Sequence, residues 1–428
     1  MNPRLVTAAA ALLVAVMILV RVGPLTLSGI DAACYARIAE DLASRPFSTW
    51  LDVQWMEGSF YEHPPLGLWL EGAWFSIFGS TAASAVWLAR LYAALLALVV
   101  WWGARGLAGP LEAAFSLAGL ATLASFQRET QNPMLEAPLG LACAVALVCC
   151  MRLPSSRRWV FGFVLAATAA VWIKGIVAFA LGIGVLWAWG RGASWRRVLA
   201  ALSLWVALVG ITAALFEALR GAQGLGPYLE PYLRKHVLVA FAEGRHNVSP
   251  SPWFHLPTLV RWHLSALIAL PLLAWRWRSM RVESRQLAML GVAWVIAVVL
   301  PFSLAQQKSE WHINVLIPGA AWLLGATLAA LPTLMLRAAP WVLFASCAVW
   351  GALESRGTSA GNQRQLAINA LTTTPADLHG AAVANCAALT PWVAGHLFAF
   401  HWKGVPVGCE EPAPWRFDGV ALQGPFQK

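Results

Sequence analysis

The chain has 428 residues, of which 59% are hydrophobic and 12% are charged. An average soluble domain carries roughly 25% charged residues, so this composition excludes a soluble globular protein. The net charge of +10 does not indicate nucleic-acid binding, because the arginines stand in short clusters between apolar blocks, where positive charge sets membrane orientation.

Apolar blocks long enough to cross a bilayer, about 17–25 residues each, recur along most of the chain. The first block has no small-residue cleavage site after it, so we interpret it as an uncleaved helix rather than a signal peptide. The pattern predicts eleven transmembrane helices, near 5–23, 83–103, 110–126, 134–151, 159–173, 175–189, 198–216, 257–274, 287–305, 313–331 and 339–353.

The connections between these helices alternate in charge. One set contains the arginine clusters and has only Glu112 and Glu283 as acids, whereas the short connections of the other set hold few basic residues. The positive-inside rule therefore predicts an inner-membrane protein with a cytoplasmic N-terminus and a periplasmic, or otherwise extracytoplasmic, C-terminus.

Two domains are predicted, a transmembrane module over 1–354 and a small extracytoplasmic α/β domain over 355–428. The module has long outer loops at about 24–82 and 217–256, and loops of that length are uncommon unless they are functional. In the second domain, extended segments at 381–385 and 405–407 flank a helical stretch at 391–402, which indicates a β-α-β unit. Whether Cys386 and Cys409 form a disulfide there stays open.

The acids lie almost wholly on the predicted outer side. Asp31 follows the first span and begins an amphipathic helix with Tyr35, Ile38 and Leu42 at helical spacing. A carboxylate at the membrane surface is well placed as a general base for an acceptor hydroxyl. Asp is also a favoured helix N-cap, so both interpretations stay open.

Glu62 and His63 precede two consecutive prolines, Pro64 and Pro65. Because prolines fix the backbone, these side chains are expected on a stiff segment. Glu and His together can supply oxygen and nitrogen ligands to a divalent metal. The alternative is the start of an interfacial helix with proline in its first turn.

Other ionisable residues belong to the same predicted face or lie inside spans. Glu136 and Arg90 fall within predicted spans, where an ionisable group suggests a functional site or a simple ion pair. Lys174 stands beside Gly175 at an outer turn and suits a phosphate, or else snorkels to the interface. The outer segments also hold Arg245, His246 and Lys308.

This order of motifs over about residues 20–330 resembles the GT-C glycosyltransferases. Within that superfamily it resembles the bacterial lipid A aminoarabinose transferase and the protein O-mannosyltransferases. The sequence departs from that pattern at His63, where relatives commonly have Lys, at Phe254–His255, where they have Tyr-Tyr, and at Trp311–His312. The resemblance implies an all-α polytopic membrane fold and leaves the substrate open.

The resemblance also implies roles for the residues above. Asp31 and Glu136 would be catalytic, and Glu62 and His246 would hold a divalent zinc, manganese or magnesium ion. The implied contacts to the donor phosphate are Lys174, Arg245, Lys308, His63 and Arg90.

We therefore predict a transferase that moves a sugar from a polyprenyl-phosphate donor, such as an undecaprenyl-phosphate sugar, with inversion. The acceptor would be an envelope lipid such as lipid A or its core, a glycan, or a protein, and nucleic acid is not a partner. Two alternatives stay open, a carrier such as a lipid-linked-sugar flippase or other transporter, and a polysaccharide ligase. A carrier should have polar groups near mid-membrane and repeat-related broken helices.

Overall fold

The computed structural model describes residues 2–19, 30–55, 58–130, 132–242 and 251–332, and four short strands after residue 380. Within these residues the chain is mostly helical. The α-helices are α1 (Pro3–Leu19), α2 (Ile30–Ala43), α3 (Leu66–Phe78), α4 (Ala82–Leu107), α5 (Pro110–Thr122), α6 (Ala124–Glu129), α7 (Glu136–Arg152), α8 (Arg158–Lys174), α9 (Gly182–Gly190), α10 (Trp195–Ala222), α11 (Leu229–Pro231), α12 (Val239–Ala242), α13 (His255–Arg276), α14 (Val282–Leu304) and α15 (Ile317–Ala329). Phe47–Thr49, Gly175–Leu181, Trp277–Ser279 and Glu310–Leu316 are 3-10 helical, and Tyr232–Leu238 is π-helical.

Several described helical segments are long and apolar enough to cross a membrane, so this is a multi-pass membrane protein. There are six such segments among the described residues: Ala83–Leu107, Arg158–Gly190, Trp195–Ala222, His255–Ser279, Val282–Leu304 and Glu310–Ala329. Each overlaps one predicted span, except that the second contains both 159–173 and 175–189. Predicted spans 5–23, 110–126 and 134–151 overlap the shorter helices α1, α5 and α7. Span 339–353 lies outside the described residues, and the total of eleven stays a prediction.

The segment from α8 to α9 bends back on itself at Gly175, whose φ of 67° lies in the left-handed region. A Cβ placed on Gly162 in α8 would lie 2.8 Å from Cys149 Sγ, and one on Gly184 in α9 would lie 3.2 Å from Cys150 Sγ. Helices α8 and α9 therefore both reach the same end of α7 and run in opposite directions.

The connections of the arginine-rich set meet at this end of the helix bundle. Arg281 Nη2 donates to Glu112 Oε1 at 2.5 Å and to Ala108 O at 2.6 Å. Arg276 Nε donates to Ala330 O at 2.9 Å. Each of these hydrogen bonds joins two connections of the arginine-rich set. The described helices are therefore arranged as expected if these connections lie at one end of the bundle.

Helix α15 packs tightly between α5 and α14 through small residues. A Cβ on Gly325 would lie 2.6 Å from Glu112 O, and one on Gly291 would lie 2.5 Å from Gly319 O. Inside a membrane, burying an apolar side chain against another helix gains little over contact with lipid, so helices associate through close packing. Small residues allow the helix backbones to approach closely. This packing fixes the 3-10 segment Glu310–Leu316, which leads into α15, at the opposite end of the bundle.

Two small sheets are present among the described residues. Strands β1 (Gln54–Trp55) and β2 (Gly58–Ser59) pair antiparallel. Strands β3 (Val383–Asn385), β4 (Pro406–Gly408), β5 (Trp415–Phe417) and β6 (Leu422–Gln423) form a sheet of order β4-β3-β5-β6. The β3–β4 and β3–β5 pairs are parallel, whereas β5–β6 is antiparallel. The predicted helix at 391–402, Cys386 and Cys409 lie outside the described residues, and the division into domains stays a prediction.

Candidate functional site

A cavity of about 480 Å³ lies at the end of the bundle opposite the arginine-rich connections. The loops and helix ends that form it come from widely separated parts of the sequence. Five of the residues singled out from the sequence line it together: Asp31, Glu62, His63, Glu136 and Lys174.

Helix α2 presents Asp31 to this cavity. The predicted amphipathic helix is confirmed, with Tyr35, Ile38 and Leu42 buried, while Asp31 is exposed in the first turn. Asp31 lies one residue inside the helix, where the helix dipole favours a negative charge. Tyr35 is one turn further on the same helix face and also lines the cavity. The place of Tyr35 in the site was not predicted, although its spacing of one helical turn from Asp31 was a usable signal.

The Glu62–His63 segment leads into α3, which begins directly after the two prolines. His63 Nε2 lies 2.9 Å from the Tyr35 hydroxyl, and the Tyr228 hydroxyl donates to the His63 carbonyl oxygen. Burial, followed by the nearby carboxylates of which Asp31 is first, raises the pKa of Tyr35 well above its usual value near 10. Tyr35 therefore stays a neutral hydroxyl that ties α2 to the proline segment.

Glu136 and Lys174 form a buried ion pair at the cavity wall. Glu136 is the first residue of α7 and Lys174 is the last residue of α8. Each charge is at the helix end whose dipole favours it. The other carboxylate oxygen, Glu136 Oε2, has no hydrogen-bond partner among the described residues. The pair therefore presents a fixed cation, with its counter-charge, to the cavity.

A second buried acid, Glu129, lies behind this pair. Its Oε1 accepts a 2.6 Å hydrogen bond from Asn314 Nδ2, and a small second cavity is lined by both Glu129 and Glu136. Burial, with the nearby Glu136 carboxylate as the next cause, raises the pKa of Glu129 to about 8. Glu129 was not predicted as a site residue, because its partner Asn314 is remote in the chain.

The rest of the main cavity is largely apolar. This wall is formed by the 3-10 segment after Lys174, the π-helical segment with α12, and the last turns of α14. Its members include Ile176, Val177, Phe179, Val237, Phe241, Val298, Pro301 and Phe302. A polar end and a long apolar wall in one cavity match a ligand with a charged head and a hydrocarbon tail.

Two further residues implied by the resemblance lie away from the cavity lining. Arg90 is buried in α4, with its Cζ 4.7 Å from the centre of the Trp87 ring. Lys308 is buried and donates to the Ala305 carbonyl oxygen. Arg245 and His246 lie outside the described residues, so their predicted roles are untested.

The implied metal is only partly represented in the described part of the chain. Glu62 contributes an exposed carboxylate at the cavity, while its implied partner His246 lies outside the described residues. Among the described residues no group of three or more His, Cys, Asp and Glu side chains is placed to hold a metal ion. These residues therefore do not make a complete metal site by themselves.

No protein-family model and no curated protein matches this sequence. Among solved structures, ArnT from Cupriavidus metallidurans bound to undecaprenyl phosphate matches with a TM-score of 0.67. The match covers 93% of this chain and 74% of that chain at 18% identity. ArnT, the lipid A aminoarabinose transferase, is a GT-C glycosyltransferase. This chain has the GT-C fold.

The oligosaccharyltransferase AglB from Archaeoglobus fulgidus has the GT-C fold as well. Its complex with an inhibitory peptide and a dolichol-phosphate matches with a TM-score of 0.52 at 12% identity, over 95% of this chain and 64% of that chain. Its complex with Zn and sulfate matches with a TM-score of 0.51 at 14% identity, over 95% and 62%. This chain thus spans less than two thirds of AglB. The resemblance to GT-C proteins is confirmed at the level of the fold.

Proposed function

We propose that this protein is a membrane glycosyltransferase that moves a sugar from a polyprenyl-phosphate donor to an acceptor in the cell envelope. One observation carries the proposal: a single cavity joins the Glu136–Lys174 pair and the Asp31 carboxylate to a long apolar wall. A donor phosphate would lie beside Lys174, and its hydrocarbon chain would follow the wall. The GT-C fold and the undecaprenyl phosphate bound to ArnT support the same donor class.

In the proposed reaction Asp31 accepts the proton of an acceptor hydroxyl as that oxygen attacks the anomeric carbon. The new glycosidic bond forms while the bond from the anomeric carbon to the phosphate oxygen breaks. The electron pair leaves with the phosphate, so the products are the glycosylated acceptor and polyprenyl phosphate. Attack opposite the leaving group inverts the anomeric centre.

Lys174 stabilises the negative charge of the departing phosphate, and Glu136 positions Lys174 through their ion pair. His63 is held at the cavity by its contact with Tyr35 and adds a second phosphate contact. Arg245 is proposed as a further cation from the 217–256 loop. Lys308 and Arg90 are proposed to act through the packing of the site, because their side chains do not line the cavity.

A divalent metal is part of the proposal, with Glu62 and His246 as its ligands. When bound, it would supply positive charge beside the donor phosphate. The Zn and sulfate complex of AglB supports a metal in a protein of this fold. Removing divalent ions with a chelator should lower transfer, and adding back zinc, manganese or magnesium should restore it. Full activity in the chelator would contradict this part.

The test uses the purified full chain in liposomes with labelled undecaprenyl-phosphate sugars and a crude envelope lipid or glycan acceptor. Wild type should release undecaprenyl phosphate and label the acceptor. Asp31→Asn should lower the rate by about 10²–10⁴, the usual contribution of a general base, and Glu62→Gln should lower it as well. Asp41→Asn is the matched control, since Asp41 lies on the same helix in an ion pair with Arg45. Activity of Asp31→Asn equal to wild type would overturn the proposed base.

The same liposomes separate the enzyme from a carrier. A flippase would move the labelled lipid across the bilayer and leave its sugar–phosphate bond intact. The clustering of polar groups at one end of the bundle favours the transferase, because carriers bind near the middle of the membrane. Movement of the lipid without release of undecaprenyl phosphate would favour the carrier.

A further inference from the structure

Trp311 forms part of the cavity wall and is backed by two other residues. The Cζ atom of Arg128 lies 4.6 Å from the centre of the Trp311 ring and 4.7 Å from the centre of the Trp262 ring. The two indole rings are 5.1 Å apart, with an angle of 39° between their planes. The three separations are nearly equal, so the three side chains form one compact cluster, here called the Trp311 cluster.

The Trp311 cluster joins three elements at the cavity. Arg128 belongs to α6, Trp262 to α13, and Trp311 to the 3-10 segment before α15. Trp262 is almost completely buried, with 1% of its surface exposed, whereas Trp311 is half-buried and lines the cavity. A guanidinium group over two indoles is a favourable arrangement that fixes the ring planes. Trp311 is therefore held in place before any ligand arrives.

The surroundings of Trp311 suit a sugar better than a hydrocarbon chain. Ser309, Gln307 and His312 line the cavity beside it and carry hydrogen-bonding groups, while the apolar wall is formed by other elements. The face of an indole carries partial negative charge, which complements the weakly positive C–H groups on one face of a sugar ring. A fixed aromatic ring with polar neighbours is thus a suitable surface for a ring that bears both C–H and hydroxyl groups.

We propose that Trp311 is the surface on which the sugar ring of the donor stacks, and that Arg128 is a positioning residue that holds Trp311. This inference rests on the proposed function, since it assigns the sugar-binding part of the same cavity. Trp311 acts on the sugar and not on the phosphate or the lipid chain. Its contribution must therefore appear only for a donor that carries a sugar.

The test compares the binding of two kinds of lipid without requiring turnover. Radiolabelled undecaprenyl phosphate, and undecaprenyl phosphate carrying glucose, mannose or aminoarabinose, are titrated against the full-length protein in detergent. Trp311→Leu should weaken binding of the sugar-bearing lipids about tenfold, the order expected for a lost aromatic contact. Binding of plain undecaprenyl phosphate should stay within about twofold. Trp311→Phe should keep most of the affinity because it keeps an aromatic face.

Arg128→Gln tests the positioning role. It should lower affinity for the sugar-bearing lipids less than Trp311→Leu does, without affecting plain undecaprenyl phosphate, and Arg128→Lys should recover part of the loss. Trp195→Leu is the matched control, because Trp195 is an exposed tryptophan at the arginine-rich end and should change neither affinity.

Each outcome decides between the proposals. Equal weakening of both kinds of lipid by Trp311→Leu, or no weakening of either, would overturn the stacking role and leave the proposed function standing. Failure of wild type to bind either kind of lipid would overturn the proposed function and this inference together. Selective loss for the sugar-bearing lipids supports the inference even if the acceptor is not yet known.

Discussion

Single residues in the site differ in how their charge is controlled. Asp31 is exposed at a helix start, whereas Glu129 is buried behind the Glu136–Lys174 pair with one neutral donor, Asn314. The pKa of Glu129 is raised to about 8, so its protonated form is favoured below that pH. Glu129 thus stays largely protonated at neutral pH, because burial disfavours its charged form.

Glu129 gives the protein a pH-dependent stability. In the unfolded chain its pKa returns to about 4.3, so between that pH and about 8 the unfolded state releases a proton that the folded state keeps. Stability therefore falls as pH rises through this window and levels off above it. Glu129→Gln removes the titrating group but keeps an acceptor for Asn314. Its melting temperature in detergent should exceed that of wild type by an amount that grows from pH 5 to pH 9.

Glu230→Gln is the control for that measurement, because Glu230 is an exposed acid paired only with its helix neighbour Arg234 among the contacts described. It reports any general effect of losing one negative charge. A constant difference between Glu129→Gln and wild type across the pH range would contradict the buried protonated state.

At the scale of elements, the α8–α9 hairpin brings Lys174 to the cavity by turning at Gly175. A Cβ at this position would lie 1.6 Å from the Tyr232 hydroxyl oxygen, and the φ of 67° is unfavourable for other residues. The glycine therefore allows the π-helical segment to pack directly on the turn that carries Lys174.

Gly175→Ala should destabilise the protein and lower transfer. Backbone strain and overpacking each cost about 1–3 kcal/mol, so we expect a loss of about 2–6 kcal/mol. Gly182→Ala is the matched control, since no atom lies within 4 Å of its Cβ position and it begins helix α9. Thermal denaturation in detergent and the transfer assay measure both effects. An unchanged melting temperature for Gly175→Ala would contradict the close packing of Tyr232 on this turn.

The Glu136–Lys174 pair joins the start of α7 to the end of α8. Removing one member of a buried pair leaves an unpaired charge and costs about 3–5 kcal/mol, so Glu136→Gln and Lys174→Met should each destabilise the fold. The double variant Glu136→Gln/Lys174→Met should recover much of that stability, because no isolated charge remains. It should stay inactive, because it lacks the cation that we propose contacts the donor phosphate.

A double variant as unstable as the single variants would contradict this pairing. A stable and active double variant would remove Lys174 from the proposed mechanism. Melting temperature and transfer rate must therefore be measured on the same preparations.

On the scale of the whole molecule, the charges are segregated between the two ends of the bundle. The arginine-rich connections share one end, and the described cavity, with Asp31, Glu62 and Glu136, lies at the other. Helices that cross the membrane alternately put successive connections on opposite sides. From the positive-inside rule we propose that the cavity faces the extracytoplasmic side of the membrane.

Cysteine labelling tests this orientation. In a Cys34→Ser background, Ala222→Cys at the cavity end should react with an impermeant maleimide in intact spheroplasts. Ser155→Cys, at the arginine-rich end, should react only after permeabilisation; both native side chains are exposed. The background protein without a new cysteine measures any signal from the remaining natural cysteines. The reverse labelling pattern would contradict the proposed orientation.

Much of the fold and part of the site could be predicted because they depend on neighbouring residues. Apolar length and arginine placement set which segments cross the membrane and which connections share a side, since transfer from water to lipid is a property of each segment. The amphipathic helix α2, with Asp31 in its first turn, follows from local periodicity. The order of motifs then indicated a GT-C fold.

Only the tertiary structure decided how these segments meet. The sequence by itself does not show that Lys174 pairs with Glu136, that Tyr35 contacts His63, or that Glu129 bonds to Asn314. From the motifs alone, Arg90, Lys308 and Lys174 were all implied to contact the donor phosphate. Of these three residues, Lys174 lines the cavity and the other two do not. These contacts join residues far apart in the chain and depend on helix packing, which local hydropathy and periodicity do not encode. The free energy of transferring each apolar segment from water to lipid is a local property, so the sequence by itself determined that this is a polytopic membrane protein. Helix packing decided which of its few charged residues face one cavity.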